Sequence, residues 1–282
     1  MSIANQFKTV ILLGLLTALL LWVGNFWGAN GLTIAFILVL LMNIGSYWFS
    51  DKLVLAIYRA KPVDKNHRLY KLVKETANKA GIPVPKVYVI PSQHSNAFAT
   101  GRNPKHAAVA CTEGILDLLN EKELKGVIAH ELSHIKHRDT LISSIAATIA
   151  GVISYVAFMA RWAALFGYGN RDRDGGNGLE LLVLAILTPI LAALIQMAIS
   201  RSREFLADEG AAKTLRDGSG LASALEKLEK DIKMKPLRAM STTETTAHLF
   251  IANPFKGGGL VSLFMTHPPM NERIKRLKEI KF

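Results

Sequence analysis

From Thr9 to Ser50 the chain contains no Asp, Glu, Lys, Arg or His, a run of 42 residues. One helix needs about 20 apolar residues to cross a bilayer, so this run is long enough for two. The stretch 24–31, GNFWGANG, breaks it near the middle. The pattern predicts spans at about 9–26 and 31–49 joined by a tight turn, with Trp22, Trp27, Tyr47 and Trp48 near their ends as interfacial aromatics. Lys8 ahead of an apolar core also fits a cleaved leader, but immediate continuation into a second apolar run favours a retained anchor. Two more uncharged runs, 140–160 and 181–200, predict a second membrane hairpin. Pro189 lies inside its second half, where neighbouring groups can compensate the lost backbone bond.

Between these runs the pattern changes. Leu124, Val127, Ile128, Leu132 and Ile135 recur at helical spacing and predict one helix over 121–138. Asn120 and Glu123 form an Asn-x-x-Glu capping box at its start. Residues 86–90 and 106–111 read as strands, with 96–100 between them, and an exposed edge there would accept an extended peptide as an added strand. Residues 236–265, with Thr-rich and Gly-rich patches, predict a flexible segment over the site. From Thr266 the chain turns helical, with Ile274, Leu277 and Ile280 on one face and Glu272 four residues before Arg276.

Charge adds orientation. The net charge is +12, but basic and acidic residues are interspersed and no nucleic-acid motif occurs, so no nucleic-acid partner is expected. Residues 51–139 and 201–282 hold 15 Lys and Arg each, against none in 27–31 and three in 161–180. Positive charge marks the cytoplasmic side. Both basic segments then lie inside, and the 161–180 loop outside. Cys111 is the one cysteine, so no internal disulfide can form.

The candidate chemistry sits on the 121–138 helix. His130-Glu131-Leu132-Ser133-His134 is an H-E-x-x-H motif, which puts two histidines on one helix face for a single metal ion and a glutamate beside them. His137 is excluded as a partner of His130, because the two lie about 10 Å apart along a helix rising ~1.5 Å per residue. The second hairpin returns the chain to the side it left. Glu204, shortly after it, therefore becomes the candidate third ligand, and Asp208, one turn later, a group that orients a ligand histidine. In this arrangement zinc activates a water, Glu131 serves as general base, and the water attacks a peptide carbonyl. The charges on the motif helix place it outside the bilayer core.

Four stretches together, residues 96–100 (NAFAT), 129–134 (AHELSH), 202–208 (SREFLAD) and 266–269 (THPP), make the chain resemble the HtpX family of bacterial membrane-bound heat-shock zinc proteases, in the group that also holds the CAAX prenyl proteases. The resemblance covers nearly the whole chain. It implies one zinc ion per chain held by His130, His134 and Glu204, Glu131 as the catalytic base, and a role in membrane-protein quality control under stress. It also implies a place near the metal for His267, either as a donor to the oxyanion or as a regulatory ligand; His267 also stands where the C-terminal helix begins. Asn96 is a candidate substrate contact.

The fold class expected is a mainly α integral membrane protein. Four transmembrane helices join an α+β zincin-like catalytic domain built from two chain segments. Residues 1–50 hold two spans, 51–139 the first half of a cytoplasmic catalytic domain, 140–200 the hairpin, and 201–282 the second half. The expected setting is a bacterial inner membrane. The expected partners are the lipid bilayer and membrane-protein or unfolded polypeptide substrates. The alternative is a non-catalytic, zinc-stabilised membrane chaperone or adaptor.

Overall fold

The structure is a computed structural model that describes residues 28–143, 145, 201–234, 251 and 268–281, with 10–11, 13–14, 17–18, 20–22 and 25 before them; the side chains of 42, 43, 46, 47, 50, 201 and 202 are excepted. The expected hairpin over 140–200 apart from 140–143 and 145, the 236–265 segment apart from Ile251, and His267 lie outside these residues.

Helix α1 spans Gly28–Ile57. It begins at the expected turn, where Gly28 takes a φ of 67° that residues with a Cβ seldom adopt. The span expected to end near residue 49 continues as helix to Ile57. Nothing at Ser50-Asp51-Lys52 stops a helix, and the extra turns are held by packing: Val54 and Leu55 are buried with Ile90, Phe98, Ala108 and Ala110 against one face of the sheet. Further up, Ile34, Phe36, Leu41 and Ile44 are all exposed. Among the described residues no helix is long and apolar enough to cross a membrane.

The sheet has four strands in the order β1-β2-β4-β3. They are β1 (Lys61–Pro62), β2 (Lys86–Ile90), β3 (Ala97–Asn103) and β4 (His106–Thr112). Strands β2 and β4 are parallel and β3 pairs with β4 as an antiparallel hairpin, in register Ala99↔Val109. Gly101, at a bulge with φ 124°, admits no side chain, since a Cβ there would run into the His106 carbonyl. Strand β3 is the sheet edge nearest the motif.

Helices α2 (Arg68–Ala80), α3 (Glu113–Leu118), α4 (Glu121–His137), α5 (Arg201–Leu215), α6 (Ser219–Met234) and α7 (Met270–Glu279) complete the described elements. Helix α4 carries the motif, and its capping box is formed: Asn120 Oδ1 accepts from the Glu123 N–H at 3.0 Å and Glu123 Oε2 from the Asn120 N–H at 2.9 Å. Glu123 also takes Ser223 Oγ and Lys227 Nζ from α6, so the cap doubles as an inter-helix tie. Leu124, Val127, Ile128, Leu132 and Ile135 are all buried, in one core with Leu69 and Val73 of α2, Leu221 and Leu225 of α6 and Leu277 of α7. That core draws on both 51–139 and 201–282.

Helix α4 meets the start of α6 at Gly126. A Cβ there would lie 2.6 Å from the Leu221 nitrogen and 2.8 Å from its Cα. The obstacle is backbone, so the helices must separate. Gly126→Ala is expected to destabilise the protein by about 1–3 kcal/mol, the usual cost of overpacking. Chemical denaturation checks this, and an unchanged midpoint would show that the two helices shift freely.

Candidate metal centre

His130 and His134 sit one turn apart on α4, and Glu204 stands in the first turn of α5, which lies against it. The three side chains converge. His130 Nε2 is 3.2 Å from His134 Nε2, His134 Nε2 is 3.4 Å from Glu204 Oε1, and His130 Nε2 is 3.7 Å from Glu204 Oε2. One ligand atom from each lies within 4.8 Å of the others. A tetrahedral ion with bonds of about 2.05 Å needs ligand atoms about 3.3 Å apart. The triangle therefore fits zinc, with two nitrogens and one oxygen as donors. His137 takes no part: its Nδ1 lies 3.5 Å from Ser133 Oγ.

The second nitrogen of each histidine faces a carboxylate. Asp208 Oδ1 is 2.9 Å from His130 Nδ1, and Asp139 Oδ2 is 3.3 Å from His134 Nδ1. Each aspartate in turn meets a buried arginine. Arg273, fully buried on α7, donates Nε and Nη2 to the two oxygens of Asp208, both at 2.8 Å. Its Nη1 also lies 3.4 Å from Glu204 Oε2. Arg203 Nη1 is 3.8 Å from Asp139 Oδ1. Of these four residues, the sequence singled out only Asp208.

Glu131 is buried on α4, and its Oε2 accepts the Ala99 N–H of β3 at 2.8 Å. Because Ala99 gives this N–H to Glu131, the outer edge of β3 faces the motif helix. Burial pushes the Glu131 carboxyl above the usual carboxylate range, opposed by His130 and His134 and helped by Glu204. Asn96 is buried; its Oδ1 accepts the Ile251 N–H at 3.1 Å, and Arg273 Nη1 donates to the Ile251 carbonyl at 3.2 Å. Asn96 and Arg273 thus hold both main-chain groups of one residue beside the centre.

Residues 64–281 match peptidase family M48. A protein described as "Protease HtpX homolog" from Syntrophotalea carbinolica is 55% identical over 278 residues, covering 98% of this chain and 99% of its own. The chain belongs to peptidase family M48. A second protein of the same description, from Thermococcus kodakarensis, is 49% identical over 99% of this chain and 97% of its own. Among solved structures, Ste24p of S. mikatae shares the fold with a TM-score of 0.51 at 20% identity, over 98% of this chain; the chain spans 65% of that structure's length. The family read from the four motifs is therefore borne out. The M48 enzymes are metalloproteases, and the converging His130, His134 and Glu204 are this member's candidate ligands.

Protons compete with metal at this M48 centre. Burial alone would drive the His134 imidazolium down, but the Asp139 and Glu204 carboxylates outweigh it and raise its pKa from 6.5 to about 10. In the metal-free protein that proton stabilises the fold fully below about pH 6.5. The contribution is lost as pH rises through about 10. Metal binding must displace it. Zinc affinity is expected to rise about tenfold per pH unit between pH 7 and 9, with about one proton released per ion. Calorimetry in buffers of different ionisation heat measures this, and a pH-independent affinity would contradict it.

Proposed function

We propose that this M48 member is a zinc-dependent endopeptidase of a bacterial inner membrane. Its catalytic domain lies on the cytoplasmic side, and its substrates are misfolded or damaged membrane proteins. The observation that carries the proposal is the His130, His134 and Glu204 triangle with buried Glu131 beside it. Bound there, zinc supplies a water that ionises near neutral pH and a Lewis acid for the scissile carbonyl. Glu131 takes the proton from the attacking water and passes it to the leaving amine. Its place beside the His130–His134 pair suits both halves of that task. The Ala99 N–H anchors one of its oxygens. Asp208, held by Arg273, lies 2.9 Å from His130 Nδ1 and would leave Nε2 as the nitrogen that holds the ion.

An extended substrate would pair with main-chain groups of the outer edge of β3 other than the Ala99 N–H, which Glu131 already holds, along residues that are mostly buried rather than exposed as the sequence suggested. Asn96, next to β3, and His267 are the proposed further contacts, the latter as oxyanion donor or regulatory ligand. The membrane assignment is supported by the uncharged 9–50 run and by the exposed apolar side chains along α1, a surface that suits lipid. Exposed Trp48 stacks with Arg102 of β3 at 4.0 Å, an aromatic–cation pair suited to the headgroup region where α1 enters the domain.

The test of function is cleavage of an unstructured protein by the purified chain in detergent, stripped of metal and resupplied with zinc, beside Glu131→Gln. Zinc-dependent cutting by the parent alone is expected. If both bind zinc and neither cuts, the adaptor alternative replaces the peptidase. Topology is tested by single cysteines at 165–175 in intact cells, in a chain with Cys111 replaced. Labelling by an impermeant reagent without permeabilisation is expected, and labelling only after it would sink the four-span arrangement.

A further inference from the structure

The two ligand histidines each face a carboxylate, and of the two carboxylates only Asp208, on the His130 side, lies within a sequence motif. Asp208 is the fourth residue after Glu204 on the same helix. Asp139 lies beyond the end of α4. The chain brings it back because Arg138 takes the left-handed conformation, φ 61°, with its N–H on the His134 and Ile135 carbonyls. Thr140 then fastens the turn to the sheet by donating its Oγ1 to the Gly101 carbonyl at 2.8 Å. Asp139 is buried in this frame, with one oxygen 3.3 Å from His134 Nδ1 and the other 3.8 Å from Arg203 Nη1. Arg203 is also buried and directly precedes ligand Glu204. The pair thus joins the chain just before residue 140 to the chain just after residue 200.

We propose that Asp139 is a positioning residue for the metal, acting through His134, and that Arg203 holds Asp139 in place. By accepting the Nδ1 proton, Asp139 selects the tautomer whose Nε2 lone pair faces the ion and stops the ring from turning. Arg203 sets the direction of the carboxylate and spans the two ends of the 140–200 segment, so the second histidine keeps its aim only while those ends stay together. This rests on the zinc-site assignment above.

The test uses the full chain in detergent on a Glu131→Gln background, so that activity and self-cleavage play no part. Zinc dissociation constants come from chelator competition, and the visible absorption of the cobalt-loaded protein reports ligand geometry. Asp139→Ala is expected to bind zinc 10- to 100-fold more weakly, as loss of a hydrogen-bond partner of a ligand histidine does, and to change the cobalt spectrum. Asp139→Asn, whose amide oxygen still accepts from Nδ1, is expected to recover part of both. Arg203→Met is expected to weaken zinc severalfold. Asp217→Ala, which removes a carboxylate paired with Lys122 at 3.0 Å away from the centre, is expected to leave both readouts unchanged. Zinc affinity within twofold of the parent in Asp139→Ala, or an unaltered cobalt spectrum, would overturn the proposal. If Asp139→Ala does not fold, parent-like affinity in both Asp139→Asn and Arg203→Met overturns it. A parent that binds no zinc sinks the metal site and this inference together, whereas a zinc-binding parent with unaffected variants sinks this inference alone.

Discussion

Glu131→Gln is expected to cut peptide cleavage about 10³-fold, within the range for loss of a general base, while the chain keeps one zinc ion. The substitution preserves shape. The Gln carbonyl oxygen can still accept the Ala99 N–H that now reaches Glu131 Oε2 at 2.8 Å. What is lost is the carboxylate that receives the proton. An amide at this position has no basic oxygen to take that proton. Metal should stay because the converging ligand atoms belong to His130, His134 and Glu204. Glu204→Gln and His134→Ala should behave oppositely and lose zinc first. The comparison requires both metal content and cleavage rate. Zinc lost from Glu131→Gln would make this residue a ligand, and undiminished cleavage would make it a bystander.

How much of this was legible depended on how local each feature is. The motif helix was readable end to end, because its apolar face and its capping box are patterns within one element. The one boundary difference is Arg138, which leaves the helix in the left-handed conformation instead of ending it. Strands β2 and β4 were equally readable. Strand β1, two residues long and held only by pairing with β2, has no pattern to read. The approach of Glu204 to the histidines followed from where the apolar runs begin and end.

Charged residues buried by distant partners were not legible. In α7, Ile274, Leu277 and Ile280 were expected to form the inner face, and Glu272 to pair with Arg276. That pair forms, at 2.8 Å. The inward face, however, carries Arg273 and Leu277, with Ile274 and Ile280 only half-buried. Nothing within α7 marks Arg273 as internal; its reason is Asp208, 65 residues earlier. Its spacing from Met270 and Leu277, three and four residues, was the available signal. Asp139 was hidden in the same way, being read as the end of a segment when its partner is five residues back around a turn.

Arg273→Met is the severest structural test of the assembly. The replacement is of similar length and apolar, and it leaves Asp208 and Glu204 buried without the guanidinium that faces both. Breaking a buried ion pair by removing one member costs about 3–5 kcal/mol, because the remaining charge has no compensation. The size should depend on pH in a defined direction. Burial alone would raise the Asp208 pKa, but Arg273, aided by His130, holds it below the ordinary 3.8. The stability this confers is present above the unfolded pKa and is lost as pH falls through the folded one. The gap between parent and variant should therefore be widest near pH 7 and shrink as pH approaches the ordinary carboxylate range, where the variant's Asp208 becomes neutral. Chemical denaturation of the metal-free proteins at pH 7 and pH 4.5 measures both gaps. Adding Asp208→Asn to Arg273→Met should cost less than the two single changes summed, since the second removes the charge the first exposed. A gap under about 1 kcal/mol, or one that does not narrow in acid, would mean that the pair does not join α7 to α5, the helix that carries Glu204. The C-terminal helix would then be a covering element and not a part of the site.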